Sequence, residues 1–175
     1  MSTVFGPQDP QNPADAPHLR IISQYVKELS FQNPMAANAG RAYDTQPTID
    51  MGVEVKSRPM DDDRSVFEVE LRINVQAKRG DDTMFLVDLN YGGLFQFQNI
   101  AEPDVEPLLW VECPRLLFPF SRQILAEVTR EGGYPPLLIN PIDFTPLYWA
   151  ELRDREAKAG GNGGSTPLGG SGSVF

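Results

Sequence analysis

One histidine and one cysteine are all the imidazole and thiol in this 175-residue chain, and that scarcity removes most catalytic and metal chemistry at once. A Ser-His-Asp or Cys-His arrangement would have to use His18, which lies at the edge of a polar arm and reads as a surface residue rather than a general base. Cys113, followed by Pro114 in an apolar stretch, reads as a small buried hydrophobe. A lone thiol forms no internal disulfide, which fits a reducing compartment. No His and Cys residues have the spacing of a zinc site, and Asp61-Asp62-Asp63 lacks the spaced glutamate that completes a calcium loop. Neither Gly92-Gly93 nor Gly132-Gly133 leads into the Lys-Ser or Lys-Thr of a phosphate loop, and no GxGxxG opens a helix. The expectation is a protein that is no enzyme, with no metal and no cofactor.

Positive charge is also scarce. Fifteen basic residues against 24 acidic ones give a formal charge of -9, which repels phosphate backbones and anionic headgroups but attracts a basic protein patch. Long apolar runs are missing too. The opening MSTVFGPQDPQNPADAPHLR has no basic start and no apolar stretch of about 7–15 residues, so it is not a secretory signal. No later run reaches the roughly 18 residues of a membrane span. A cytoplasmic protein that neither binds nucleic acid nor inserts into a membrane is expected.

What is present is a core. Hydrophobic residues make up 41% of the chain, enough for one folded domain. Residues 1–17, rich in Pro, Gln, Asn and Asp, read as a disordered arm. Residues 159–175 are almost all small or polar and read as a flexible Gly/Ser-rich tail, leaving 18–158 as the domain. Within it Phe67, Val69, Leu71, Ile73, Val75 and Ala77 alternate with polar residues at a period of two, which predicts a long amphipathic strand. Arg79-Gly80-Asp81-Asp82 supplies a turn, and Phe85, Val87, Leu89 and Tyr91 resume the alternation, which predicts a hairpin. Ile49, Met51, Val53 and Val55 form a third run. Leu19 to Phe31 forms a fourth, whose adjacent apolar pairs Ile21-Ile22 and Tyr25-Val26 predict cover on both faces.

Beyond Gly92-Gly93 and the aromatic pair Phe95 and Phe97 the period changes. A short helix is predicted from about Pro103 to Cys113, ended by Pro114. A longer one carries Leu117, Phe120, Ile124 and Val128 on its packed side, with Pro119 starting or kinking it. The last helix begins at Thr145-Pro146, with Phe144 and Trp149 placed as a hydrophobic staple. Strands followed by helices predict an α+β fold, an antiparallel sheet with helices packed on one face. The hairpin also carries Met84 and Leu86 on its polar side, and such a surplus of apolar surface points to association or to a binding surface.

Several segments together resemble the SecB family of export chaperones: YVKELSFQNP (25–34), TMFLVDLNYGGLF (83–95), CPRLLFPFSRQILAEVTREGGYPPL (113–137) and NPIDFTPLYWAEL (140–152). The resemblance implies a four-stranded antiparallel sheet, paired subunits, and two pairs joined in a homotetramer, a dimer of dimers. It implies a molecular chaperone for unfolded secretory precursor proteins, which it keeps translocation-competent and delivers to the translocation ATPase SecA, with no cofactor. The SecA-binding surface of the family falls on Glu28, Leu86 and Asp88, with Glu68 and Glu70 as neighbours by strand phase; a position often acidic in the family is Gln32 here. Positions tied to subunit association fall on Phe85, Val87, Leu89 and Tyr91. The client groove falls near Tyr43, with Leu94, Phe97 and Tyr134 as further candidates, although a tryptophan common in the family is Thr45. Two alternatives fit the same residues, a small-molecule-binding or lyase-like α+β domain with a groove near Tyr43 and Tyr134, and a SecB-like chaperone dedicated to one client such as a toxin.

Overall fold

The computed structural model describes residues 16–39 and 46–160. The arm up to residue 15, the tail from 161 and the groove candidate Tyr43 lie outside the described residues. Four strands, β1 (His18–Gln32), β2 (Thr48–Pro59), β3 (Val66–Arg79) and β4 (Asp82–Gln98), form one antiparallel sheet in the order β1-β4-β3-β2. The long alternating run is β3, central in the sheet. Its odd-numbered residues from Phe67 to Ala77 are buried, at 0–3% exposure, because they lie beneath a helical layer. The turn to β4 is Gly80-Asp81 between the paired Arg79 and Asp82, and Gly80 takes the φ of 58° that a tight hairpin requires.

Between β2 and β3 the first aspartate of the acidic triplet organises the chain. The Asp61 carboxylate accepts hydrogen bonds from the backbone N–H of Ser65 (2.9 Å) and Val66 (3.1 Å). These bonds, led by that from the Ser65 hydroxyl, hold its pKa below the ordinary value.

β4 runs through both glycines and the aromatic pair to Gln98, as the change of period beyond Phe97 predicts. One expectation for the strands changes, that for β1. β1 is not covered on both faces: its adjacent apolar pairs arise where the register with β4 slips, between Ile21 and Ser23 and between Val26 and Glu28. Each extra residue reverses the phase of those that follow, as a β-bulge does.

After β4 the chain is helical without interruption from α1 (Glu102–Pro107), through one π-helical turn at Leu108–Glu112, to α2 (Cys113–Glu131). Pro114 therefore does not end a helix. It sits in the first turn of α2, where the wider preceding turn relieves the demand on its missing N–H. The face of α2 against the sheet is Cys113, Leu117, Ser121, Leu125 and Thr129, all 0% exposed and spaced by four. Phe120, expected on that face, is 46% exposed. The sequence obscures the true face because two of its members are hydroxylic. Ser121 and Thr129 donate back to the carbonyls of Leu117 (3.2 Å) and Leu125 (2.8 Å), so burial strands no polar group.

The last helix, α3 (Thr145–Gly160), begins as expected, but Asp143 accepts from the Thr145 N–H at 3.0 Å. Phe144 is buried in the core while Trp149 stays exposed, so the two do not form a staple.

Candidate functional site

The double glycine of β4 connects the two faces of the sheet. At Gly93, on the helix side, a Cβ would lie 2.8 Å from a Leu117 methyl and 2.9 Å from the Phe95 ring, so α2 sits close because that position is empty. At Gly92, on the outer side, a Cβ would lie 2.8 Å from the Tyr25 ring and 3.2 Å from the Lys27 chain. Those two β1 side chains cross β4 over the gap and reach β3. Tyr25 donates to Glu68 Oε1 at 2.6 Å, and the Lys27 ammonium bonds Glu68 Oε2 at 3.2 Å and also Glu70. Arg58 of β2 completes the set, its Nε donating to Glu68 Oε2 at 2.6 Å.

Glu68 is therefore not a surface acid: it is 3% exposed and joins β1, β3 and β2. Burial alone would raise its pKa, but the hydrogen bonds from Tyr25, Arg58 and Lys27 outweigh burial and hold it down to about 2. The same environment, burial first and then the bond to Glu68, pushes the Tyr25 phenol up to about 12. Glu70 is held by Lys27 and by Asn90 Nδ2 at 2.7 Å.

Glu28, Leu86 and Asp88 come together elsewhere on the outer face. They line one open concavity of about 480 Å3 toward the other end of the sheet. Glu28 is exposed. Asp88 is bound by Arg72, with Nε to Oδ1 at 2.9 Å, and that guanidinium lowers its pKa. Glu68 and Glu70 border a separate recess with Arg58 and Trp110. The five candidate SecA contacts thus divide into a solvent-facing group of three and a structural pair.

The four residues assigned to subunit association, Phe85, Val87, Leu89 and Tyr91, are buried in the protomer's own core, at 4%, 1%, 0% and 8% exposure. Their side chains face the helix layer of the same protomer. Free apolar surface lies at the margins of that same face, because the helix layer packs chiefly over β3 and β4. On β1 it is Val26 (45% exposed) and Leu29 (41%), paired with Tyr91 and Leu89; on β2 it is Ile49 (41%) and Met51 (44%), paired with Ala77 and Val75. Leu116 and Phe120 of α2 extend the β1 margin, Phe120 stacking on Tyr91 at 6.4 Å. Of the adjacent apolar pairs of β1, Val26 belongs to this surface.

The groove candidates do not converge. Phe97 is buried edge-on to Phe67 at one end of β4, and Leu94 lies on the opposite, outer face. Tyr134 packs on Phe85 at the other end, its hydroxyl 2.9 Å from Asn33 Oδ1 and 3.1 Å from the Met84 carbonyl. Two of the three are core residues, and the strand between Met84 and Phe97 is about 43 Å long at 3.3 Å per residue. A larger open groove of about 670 Å3, missed in the sequence, lies between the β2–β3 loop, α1 and α3, floored by Phe67, Leu109 and Trp110. The Arg155 guanidinium of α3 lies over the Trp110 ring at 4.9 Å and pairs with Glu106 at 2.6 Å.

Cys113 is fully buried, and burial with the nearby Glu112 charge pushes its thiol well above the ordinary range, so it is no nucleophile. Among the described residues no helix is long and apolar enough to cross a membrane.

Residues 12–155 match the family model for SecB, preprotein translocase subunit SecB. The chain is 48% identical over 166 residues to the protein-export protein SecB of Hyphomonas neptunium, covering 94% of this chain and 98% of that one. To the protein-export protein SecB of Maricaulis maris it is 46% identical, covering 90% of this chain and 95% of that one. Its fold is similar to that of a SecB-like chaperone of Mycobacterium tuberculosis solved with an antitoxin peptide, with a TM-score of 0.59 at 15% identity, covering 71% of this chain and 90% of that one. On the strength of these matches the chain belongs to the SecB family of protein-export chaperones.

Proposed function

We propose that this chain is a cytoplasmic holdase that binds unfolded secretory precursors, keeps them translocation-competent and delivers them to SecA, working as a tetramer of two paired dimers. The observation that carries the reading is the apolar margin of the sheet in a chain of this family. Val26, Leu29, Leu116 and Phe120 along β1 and α2, and Ile49 and Met51 along β2, are exposed where a monomer gains nothing from them. Buried against a partner, such surface returns about 25 cal/mol per Å2. The β1 and α2 margin joins subunits, and the β2 margin receives extended clients.

Holding needs no catalysis. A surface that binds only the non-native chain delays folding by mass action. Delivery uses the outer face at Glu28, Leu86 and Asp88, while Glu68 and Glu70 keep β1 seated on the sheet. The test is to dilute an unfolded secretory precursor into the purified chain and to measure precursor solubility and SecA binding in parallel. Retention of soluble precursor together with saturable SecA binding is expected, and failure of both refutes the reading.

A further inference from the structure

On the outer face the strand registers set three rows across the sheet: Glu28–Asn90–Arg72–Glu54, Ser30–Asp88–Asn74–Gly52 and Gln32–Leu86–Gln76–Asp50. The concavity that holds Glu28 and Asp88 does not stop at the middle strands. It continues to β2, where Asp50 and Gly52 line it. Gly52 is what opens that side, since a Cβ there would lie 2.5 Å from Asn74 Oδ1. Charge is uneven over this block, with four carboxylates (Glu28, Asp50, Glu54, Asp88) facing one guanidinium. Arg72 is taken up by Asp88, and Glu54 is paired with Lys56 at 3.2 Å. Glu28 and Asp50 are exposed and have no ion-pair partner among the described residues. They stand at diagonally opposite corners, three strands and four residues apart, a separation of roughly 19 Å at 4.8 Å per strand and 3.3 Å per residue.

We infer that the delivery surface spans the whole sheet, with Asp50 of β2 as a second acidic anchor opposite Glu28, and that it takes a basic segment of the partner protein lying diagonally across Leu86. The inference rests on the delivery reading above and adds the far corner to it. An apolar client does not suit this face: Leu86 is its one large apolar side chain within the three rows, and its free charges are of one sign. A cationic segment with charges roughly 19 Å apart, about 13 residues of helix at 1.5 Å per residue, meets both corners at once. Two unpaired carboxylates on a shallow open face act through attraction that salt screens, so they set association rate and selectivity.

The test measures SecA binding by titration calorimetry at low and at raised salt, using the full chain and the variants Glu28→Lys, Asp50→Lys, Asp50→Asn and Asp62→Lys. Asp62 is an exposed acid of the β2–β3 loop, off this face, and controls for net charge. Expected are a loss of about tenfold in affinity for Asp50→Lys and for Glu28→Lys, a smaller loss for Asp50→Asn, a shallower salt dependence for each, and Asp62→Lys within about twofold of the unaltered chain. If Asp50→Lys behaves as Asp62→Lys does while Glu28→Lys weakens binding, the far corner is not part of the surface and the inference fails alone. If the unaltered chain does not bind SecA, the delivery reading fails and takes the inference with it. Loss of precursor holding, or a changed native mass, in Asp50→Lys would make the face a client or subunit surface instead and would equally overturn the inference.

Discussion

Replacing Glu68 with glutamine keeps the side-chain shape and removes the charge that joins three strands. The fall of its pKa from 4.5 to about 2 corresponds, at about 1.4 kcal/mol per pH unit, to roughly 3 kcal/mol of native-state stabilisation of the charged form. Arg58 is 61% exposed at its side chain and Lys27 29%, so both recover water when the carboxylate is lost, and the expected cost falls to about 2 kcal/mol. The native pKa lies below the unfolded one, so this contribution is full above pH 4.5 and disappears as pH falls through 2. Urea unfolding followed by tryptophan fluorescence, at one protomer concentration and at pH 7, 5, 4 and 3, compares the two proteins. A gap of about 2 kcal/mol at pH 7 that closes toward pH 2–3 is expected. A gap independent of pH, or one below about 0.5 kcal/mol at pH 7, refutes the assignment of Glu68 as the charged joint of the sheet.

Gly93→Ala forces a methyl against Leu117 and Phe95, both fully buried, and a loss of about 1–3 kcal/mol is expected in thermal unfolding; an unchanged midpoint would show that α2 can move off the sheet. Native Cys113 should resist a thiol reagent such as Ellman's, reacting only as the chain unfolds, because the sulfur is enclosed and its thiolate disfavoured; fast labelling of the native protein would contradict that burial. Leu29→Glu should leave protomer stability within about 0.5 kcal/mol, since the side chain is already exposed, yet lower the native mass by weakening subunit contacts; an unchanged mass would remove Leu29 from the interface.

The sheet was legible where one side chain in two had to be apolar. β3 sits between two strands beneath a helix, so burial on one face and water on the other write a period of two into Phe67 to Ala77. The edge strand β1 was harder, because two bulges shift its phase and leave Ile21-Ile22 and Tyr25-Val26 looking like cover on two sides. The packed face of α2 was hidden by Ser121 and Thr129, which bury hydroxyls on their own helix.

The outer face could not be read at all in its pairings. Lys27 and Glu68 are 41 residues apart in sequence and two strands apart in space, and they meet only because Gly92 of the intervening β4 has no side chain. Strand phase correctly put Glu68 and Glu70 on that face, but neutralisation by β1 and β2 follows from strand order, which alternation does not carry. The same limit applies to Phe85, Val87, Leu89 and Tyr91: alternation puts them on the helix-side face but does not show that α2 covers its centre and leaves its margins exposed.

Mass measurement of the native assembly, with and without an unfolded secretory precursor, tests most directly whether the exposed margins join subunits and hold clients. The account predicts a species of four chains that gains the mass of one precursor. A single chain that stays alone and ignores the precursor would contradict it.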